Sequence, residues 1–341
     1  MRTPAFLLMR KGRADNAFKL AEIKLNPPRA NEVLIEVEAF GLNYIDVSLR
    51  LGTHSDSPAL PFVPGQEVVG NILQVGGQVD RALLGKRVAA LTARGGYAKH
   101  AVVPADTLAE VGEMDANTAL ALSLQGVTAY YMCHCLCPML PNENALVHAA
   151  AGGVGTLLVQ LAKNAGAVVI AKVGSEAKKR KCLELGADFA VNYKTSDYVA
   201  EVERLIGKRA LDVSFNPVAG RTFRQDRRLL GHGSRLVLFG GLELASGHFG
   251  LLSQLNFLRK MGIILPVFLS IHAQSIIGVN LLKIAQTKPQ VVGHCLNQIL
   301  SLHRQGRIKP ENGGDFAVTD LSKAHALLES GKSMGKLAVH W

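Results

Sequence analysis

A two-domain α/β protein, a mostly β domain followed by a doubly wound parallel sheet, is the fold class predicted by three features of the sequence. The first hundred residues read as short alternating strands divided by glycine and proline. Beyond Pro104 the runs become nearly continuously apolar and alternate with helical segments, and one strand-to-helix turn carries a glycine cluster at Gly152, Gly153 and Gly155. A chain of 341 residues, 48% of them hydrophobic, can fill two cores. The expected division is 1–122 for the β domain, 123–270 for the nucleotide-binding domain, 271–309 to complete the latter, and 310–341 to return to the former.

In the first half, VLIEVEAFGLN (33–43) alternates, EVVGNILQVGG (67–77) does so less strictly, and KRVAAL (86–91) and GYAKHAVV (96–103) are also strand-like. These short strands predict a barrel-like domain. In the second half, ALVHAA (145–150), AVVIAKV (167–173), FAVNY (189–193), LDVSF (211–215) and RLVLFG (235–240) are spaced as βαβ units. Their apolar character suits strands buried on both faces. The tail supplies a helix pattern at 321–329 and a strand at 335–340, able to complete either domain.

Composition excludes several classes. The five cysteines are odd in number and mostly bunched, a poor disulfide framework that fits a reducing compartment. No apolar run is long enough to span a bilayer and no leader pattern opens the chain, so a cytoplasmic protein without a transmembrane segment is expected. The net charge of +11 is scattered and aromatics are only 6%, which argues against nucleic acid and favours a phosphorylated small molecule.

The glycine turn specifies that molecule. Ala150, Gly152 and Gly155, with Gly153 and Val154 between them, take the small-residue positions of a dinucleotide fingerprint between a strand and a helix. Missing side chains admit the pyrophosphate, and the free N–H groups of the helix start face it. Where an NAD site places a carboxylate, at the end of the second strand, this chain has Gly174 and Ser175 followed by Lys178, Lys179, Arg180 and Lys181. Glu176 falls one position into the next helix, where it reads as a cap. A hydroxyl and an ammonium suit a 2′-phosphate, so Ser175 and Lys178 predict NADPH as cofactor. The remaining positive residues read as a solvated helix face.

The motifs FGLNYIDVSLRLG (40–52), LPFVPGQEVVG (60–70), LQGVTAYY (124–131), VHAAAGGVGTLLVQLAKNAGA (147–167), LGAD (185–188) and the terminal GKLAVHW run in order over the chain. It resembles the zinc-free quinone oxidoreductase branch of the medium-chain dehydrogenase/reductase superfamily. HRQGRIKP (303–310) and SIIGVNLL (275–282) look more like its VAT-1-like group. The resemblance implies a GroES-like domain, a Rossmann domain with a cleft between them, and a homodimer. It implies that Asn43 and Thr128 lie near the nicotinamide with Tyr44 beside the cleft, and that Tyr193 stacks near or bonds the adenosine phosphate. Phe239, Gly240 and Gly241 end the fifth strand, where a ligand crossing the sheet would pass. Asn43 also has a plain reading as a turn cap, and Tyr44 as a core residue. His148, inside the first nucleotide-domain strand, reads as a satisfied core histidine.

Zinc-dependent relatives carry a cysteine where this chain has Asn43 and a histidine where it has Gln66, so no metal is expected. In CHCLC (133–137), a helix would put Cys133 and Cys137 on one face and Cys135 away from them, which favours packing over metal. The family's Asp-x-(Val/Leu)-Gly-Gly loop reads Asn216-Pro217-Val218-Ala219-Gly220, a departure that bears on activity. His54 occupies a region where branch members often carry a tyrosine. Its imidazole could protonate an enolate or hydroquinone oxygen, or could simply be an exposed loop residue. Without a Lewis acid, hydride transfer to a quinone or an α,β-unsaturated carbonyl, which spreads charge over its own π-system, is the favoured reaction. A catalytically weak NADPH-binding protein and an alcohol dehydrogenase are the alternatives.

Overall fold

A computed structural model describes residues 1–54, 56–242 and 251–341, the side chains of 251–255 excepted. The chain divides into two units: Met1–Val127 with Leu281–Gln305 and Pro310–Trp341, and Thr128–Asn280 with Gly306–Lys309.

The first unit contains β1 (Arg2–Leu8), β2 (Phe18–Lys24), β3 (Glu32–Leu42), β4 (Glu67–Val75), β5 (Arg87–Leu91), β6 (His100–Pro104) and β7 (Leu108–Glu110). The second contains β8 (Asn144–His148), β9 (Val168–Val173), β10 (Phe189–Asn192), β11 (Leu211–Asn216), β12 (Leu230–Leu238) and β13 (Ser275–Gly278). The chain then returns to the first unit with β14 (Asn312–Ala317) and β15 (Lys336–His340).

In the first unit β3 is central. It pairs antiparallel with β4, β6 and β15, and β14 runs parallel to β15 at one edge. Val33, Ile35, Val37, Phe40 and Leu42 of β3 enter one core with Val68, Ile72, Tyr97, Leu337 and Val339. The C-terminal strand therefore completes this unit. The segment 281–305, expected with the nucleotide-binding half, also clusters here. Gly293 lies so close to the Asp106 carbonyl that a side chain would collide with it, and Arg304 donates to the Glu110 carbonyl at 3.0 Å.

In the second unit the six strands are all parallel, in the order β10-β9-β8-β11-β12-β13. The order reverses between β8 and β11, and a doubly wound sheet binds ligands outside the carboxyl ends of its strands at such a point. Leu146, Ile170, Leu211, Leu230 and Leu236, from the four strands β8, β9, β11 and β12, share a core with Val202 and Phe223 of the covering helices. That two-sided burial is why these strands read as apolar runs rather than alternations. Among the described residues no helix is long and apolar enough to cross a membrane.

Candidate functional site

The glycine turn follows β8. Gly152 caps the helix Gly153–Asn164, whose opening N–H groups belong to Gly153, Val154 and Gly155. Gly155 has no room for a side chain: a Cβ would lie 2.7 Å from Cα of Ala150 and closer still to the Ala149 carbonyl. Ala149 itself takes a positive φ of 49°, and the Ala150 N–H donates to the Lys172 carbonyl at 3.3 Å, tying the turn to β9. The turn thus brings a row of backbone donors to the switch point of the sheet, an arrangement that fits a pyrophosphate.

At the end of β9, Ser175 rather than Glu176 caps the helix Glu176–Glu184, its Oγ accepting from the Lys178 N–H at 3.3 Å. The Glu176 carboxylate instead accepts from Asn192 Nδ2 at 2.9 Å. The expected glutamate cap is therefore corrected: a hydroxyl takes the N–H more compactly, and the carboxylate is drawn to an amide donor on β10. Lys178 is half-buried, and burial lowers the pKa of its ammonium, partly offset by Cys182. Tyr193, just beyond β10, is 50% exposed, and its hydroxyl lies beside Gly174. Ser175, Lys178 and Tyr193 thus gather around the carboxyl ends of β9 and β10.

The departing loop after β11 is held by several hydrogen bonds. Asn216 Oδ1 accepts from the Val218 and Ala219 N–H groups at 2.8 and 2.9 Å, while its Nδ2 donates to Asp226 Oδ2 at 2.6 Å. Phe239, Gly240 and Gly241 lie just past β12 against this loop: the Phe239 N–H meets the Asn216 carbonyl at 3.4 Å, and a Cβ on Gly240 would come within 2.7 Å of the Pro217 carbonyl. His148 is buried and donates through Nε2 to Asp226 at 3.0 Å; burial lowers its pKa more than Asp226 raises it. Cys133 and Cys137 are buried and Cys135 is exposed; burial pushes the Cys137 thiol up to about 11.

In the first unit, Asn43 precedes the helix Tyr44–Leu51, and its backbone N–H donates to Asp46 Oδ2 at 2.9 Å, one half of a capping box. Its side chain turns inward. Nδ2 donates to Glu67 Oε1 at 2.7 Å, and Oδ1 accepts from Lys336 Nζ at 3.2 Å and from Gln125 Nε2 at 3.3 Å. Lys336 and Glu67 form a fully buried ion pair, with Lys336 also donating to the Leu42 carbonyl at 3.2 Å. The second oxygen of Glu67 accepts from the Leu124 N–H at 2.8 Å, where the π-helical stretch Ala121–Gly126 departs from helical geometry at Ser123. Such a bulge releases an N–H from the helix ladder, and the carboxylate takes it. Gly41 is required beside this pair, because a Cβ would fall 2.6 Å from Lys336 Nζ. Lys336, Glu67 and Gln125 each fall within a motif quoted above, but their meeting is not legible in the sequence because the three motifs are distant in the chain.

Tyr44 opens its helix half-buried, and burial together with Glu329 raises its phenol pKa. His54 lies in the turn after the helix, its Nδ1 accepting from the Asp56 N–H at 3.2 Å, which leaves the proton of a neutral ring on Nε2. Thr128 lies in the second unit on the short helix Val127–Tyr130.

Comparison with known proteins agrees with these two halves. Residues 29–113 match the family described as alcohol dehydrogenase GroES-like domain, and residues 153–284 the family described as zinc-binding dehydrogenase. A quinone oxidoreductase of Mus musculus is 33% identical over 224 residues, 64% of this chain and 68% of its own. The synaptic vesicle membrane protein VAT-1 homolog of Danio rerio is 28% identical over 93% of this chain and 66% of its own. The crystal structure of Escherichia coli quinone oxidoreductase complexed with NADPH superposes with a TM-score of 0.85 at 27% identity, covering 99% of this chain and 100% of that one. The chain belongs to the quinone oxidoreductase branch of the medium-chain dehydrogenase/reductase superfamily.

The zinc implied by one of those family descriptions does not fit the residues present. Asn43 and Gln66 offer amides where thiolate and imidazole would be needed, and the Lys336 ammonium already supplies the positive charge that Glu67 balances. Among the described residues no three His, Cys, Asp or Glu side chains gather as a metal-holding group.

Proposed function

We propose that this chain is an NADPH-dependent, zinc-independent reductase of quinones or α,β-unsaturated carbonyls. The observation that carries the reading is the nucleotide cradle: a glycine turn that excludes side chains at the switch point, with a hydroxyl and a lysine, not a carboxylate, at the end of the second strand. Ala150, Gly152, Gly153, Val154 and Gly155 would hold the pyrophosphate, and Ser175, Lys178 and Tyr193 the 2′-phosphate. Phe239, Gly240 and Gly241 would form the wall beyond β12. Bound there, NADPH supplies a hydride to an electron-poor carbon. The protein's part is to hold donor and acceptor in line and exclude water.

In this reading Asn43, its amide held by Glu67, Lys336 and Gln125, would lie near the nicotinamide, as would Thr128, and Tyr44 near the substrate. His54, with its proton on Nε2, donates to the reduced oxygen. A screen following NADPH consumption against quinones and enones, with dinucleotide binding measured separately, tests the proposal. Tight NADPH binding with no acceptor reduced would reject it in favour of a binding protein.

The same reading includes a cytoplasmic homodimer. Beside the edge strand β13, Ile263 is 91% exposed, and Leu265, Val267, Phe268 and Ile271 are exposed with it. An apolar surface next to a sheet edge suits a second copy. Ile263→Asp with Phe268→Asp should yield monomers by light scattering, whereas a monomeric parent protein would reject the dimer.

A further inference from the structure

Lys172 is a buried cation near the carboxyl end of β9, three residues before Ser175. A lysine inside a strand covered on both faces is costly unless its ammonium is compensated. Its Nζ lies 3.3 Å from His148 Nδ1, 3.8 Å from the centre of the Tyr198 ring and 5.2 Å from that of Tyr193. His148 passes the connection on to Asp226, which also accepts from the Tyr198 hydroxyl at 2.9 Å, Ser214 Oγ at 2.8 Å and Asn216 Nδ2 at 2.6 Å.

Asp226 thus accepts from four side chains, and Lys172 is linked to it through His148. The ammonium helps to compensate the buried Asp226 carboxylate, at a desolvation cost that a pair of neutral side chains would avoid. The ammonium also has a neighbour at the end of β9, beside Gly174. Tyr193 is half-exposed, its N–H is anchored to the Val173 carbonyl at 3.0 Å, and its hydroxyl sits beside Gly174, where any side chain would collide with it. The Lys172 ammonium lies 5.2 Å from the centre of this ring, and Ser175 and Lys178 follow on the same strand-to-helix turn. A cation against an aromatic ring holds it in place, and its charge is poorly screened where water is excluded.

We propose that Lys172 is a positioning and specificity-determining residue for the dinucleotide. Against the Tyr193 ring it helps to hold that ring in place and adds a buried positive charge near it that favours a phosphorylated over an unphosphorylated adenosine ribose. This rests on the dinucleotide reading above and deepens it.

The test measures affinities for NADPH, NADH, 2′,5′-ADP and 5′-AMP by calorimetry in the parent protein, in Asp226→Asn, and in the double variant Lys172→Met/Asp226→Asn. The double variant removes both charges and so leaves no unpaired carboxylate. Its preference for NADPH over NADH, and for 2′,5′-ADP over 5′-AMP, should fall roughly three- to thirtyfold, with NADH affinity changed by less than about twofold. Asp226→Asn alone keeps the ammonium and should retain or raise the preference. If the double variant does not fold, Lys172→Gln, whose amide can still donate to His148, carries the same expectation. An unchanged preference in the folded charge-free protein overturns the role of Lys172 while leaving the dinucleotide reading in place. Equal losses in Asp226→Asn and the double variant would show the network to be purely structural and also overturn it. A parent protein that binds neither dinucleotide would sink the reading beneath it and the inference with it.

Discussion

Asp46 should make this protein less stable as the pH rises toward 8, and Asp46→Asn should remove that loss. The side chain is buried, with Oδ2 accepting from the Asn43 N–H and Oδ1 meeting no donor among the described residues. Burial raises its pKa to about 7, against the opposing pull of the Asn43 bond and of Lys336. In the unfolded chain the carboxyl ionises near its ordinary 3.8. Between those values the folded state keeps a proton that the unfolded state has lost, so stability falls as pH rises, by about 1.4 kcal/mol per pH unit. The loss begins above the unfolded pKa and levels off above the folded one. Over pH 5 to 8 this amounts to about 2 to 3 kcal/mol. Urea midpoints of both proteins across that range isolate the effect, because carboxylates with lowered pKa such as Asp188 and Asp315 are common to both. Asparagine can still accept the Asn43 N–H and has no charge to bury, so the variant should gain on the parent by that amount as pH rises. Parallel pH profiles would refute the reasoning.

Four further outcomes are expected. Lys178→Ala should weaken NADPH binding about tenfold while leaving NADH within about twofold, since only the 2′-phosphate loses a charged partner; equal losses in titrations of both cofactors would remove Lys178 from the phosphate site. Purified protein should hold substoichiometric zinc by elemental analysis, and chelators should leave its melting temperature unchanged, because the donors at Asn43 and Gln66 are amides. His54→Phe should lower kcat for an enone far more than for a quinone, whose reduced oxygens water protonates readily; unchanged enone turnover would leave His54 as a loop residue. Ala219→Gly should stabilise the protein by about 1 kcal/mol in urea denaturation, because Ala219 has φ 59° and ψ −149°, a region costing a side chain about 1–3 kcal/mol against roughly 0.5–1 kcal/mol for glycine's added freedom.

Much of the architecture is legible in the sequence because each signal is local. The β9 run at 167–173 appears as Val168–Val173 and the helix at 321–329 as Leu321–Glu329, since burial on two faces and helical periodicity leave their mark within a few residues. The glycine turn is equally local. The edge strands β1, β7 and β14 carry weaker patterns, being short or partly exposed, and are not singled out. The buried charges are harder still. Lys336 and Glu67 meet from opposite ends of the chain, and nothing near either residue announces the other. Lys172 does leave a signal, a lysine within an otherwise apolar run, but its meaning depends on Asp226 and Tyr193, which come from other elements.

The altered loop after β11 illustrates why a departure from a family pattern must be weighed with its surroundings. An aspartate at position 216 would accept the Val218 and Ala219 N–H groups as Asn216 does, so the loop itself does not require an amide. On the other side, Asn216 Nδ2 donates to Asp226 Oδ2 at 2.6 Å, whereas a second carboxylate there would sit in direct contact with Asp226, and one of the pair would be forced to keep a proton. Asp226 in turn is held ionised, its pKa lowered by His148, Ser214 and Lys172 against the cost of burial. The amide at 216 is thus the residue that lets the loop keep its turn while a carboxylate occupies the core beneath it. In this chain the amide at 216 is bonded into the buried network, so the loss of a loop carboxylate does not by itself imply a loss of the site.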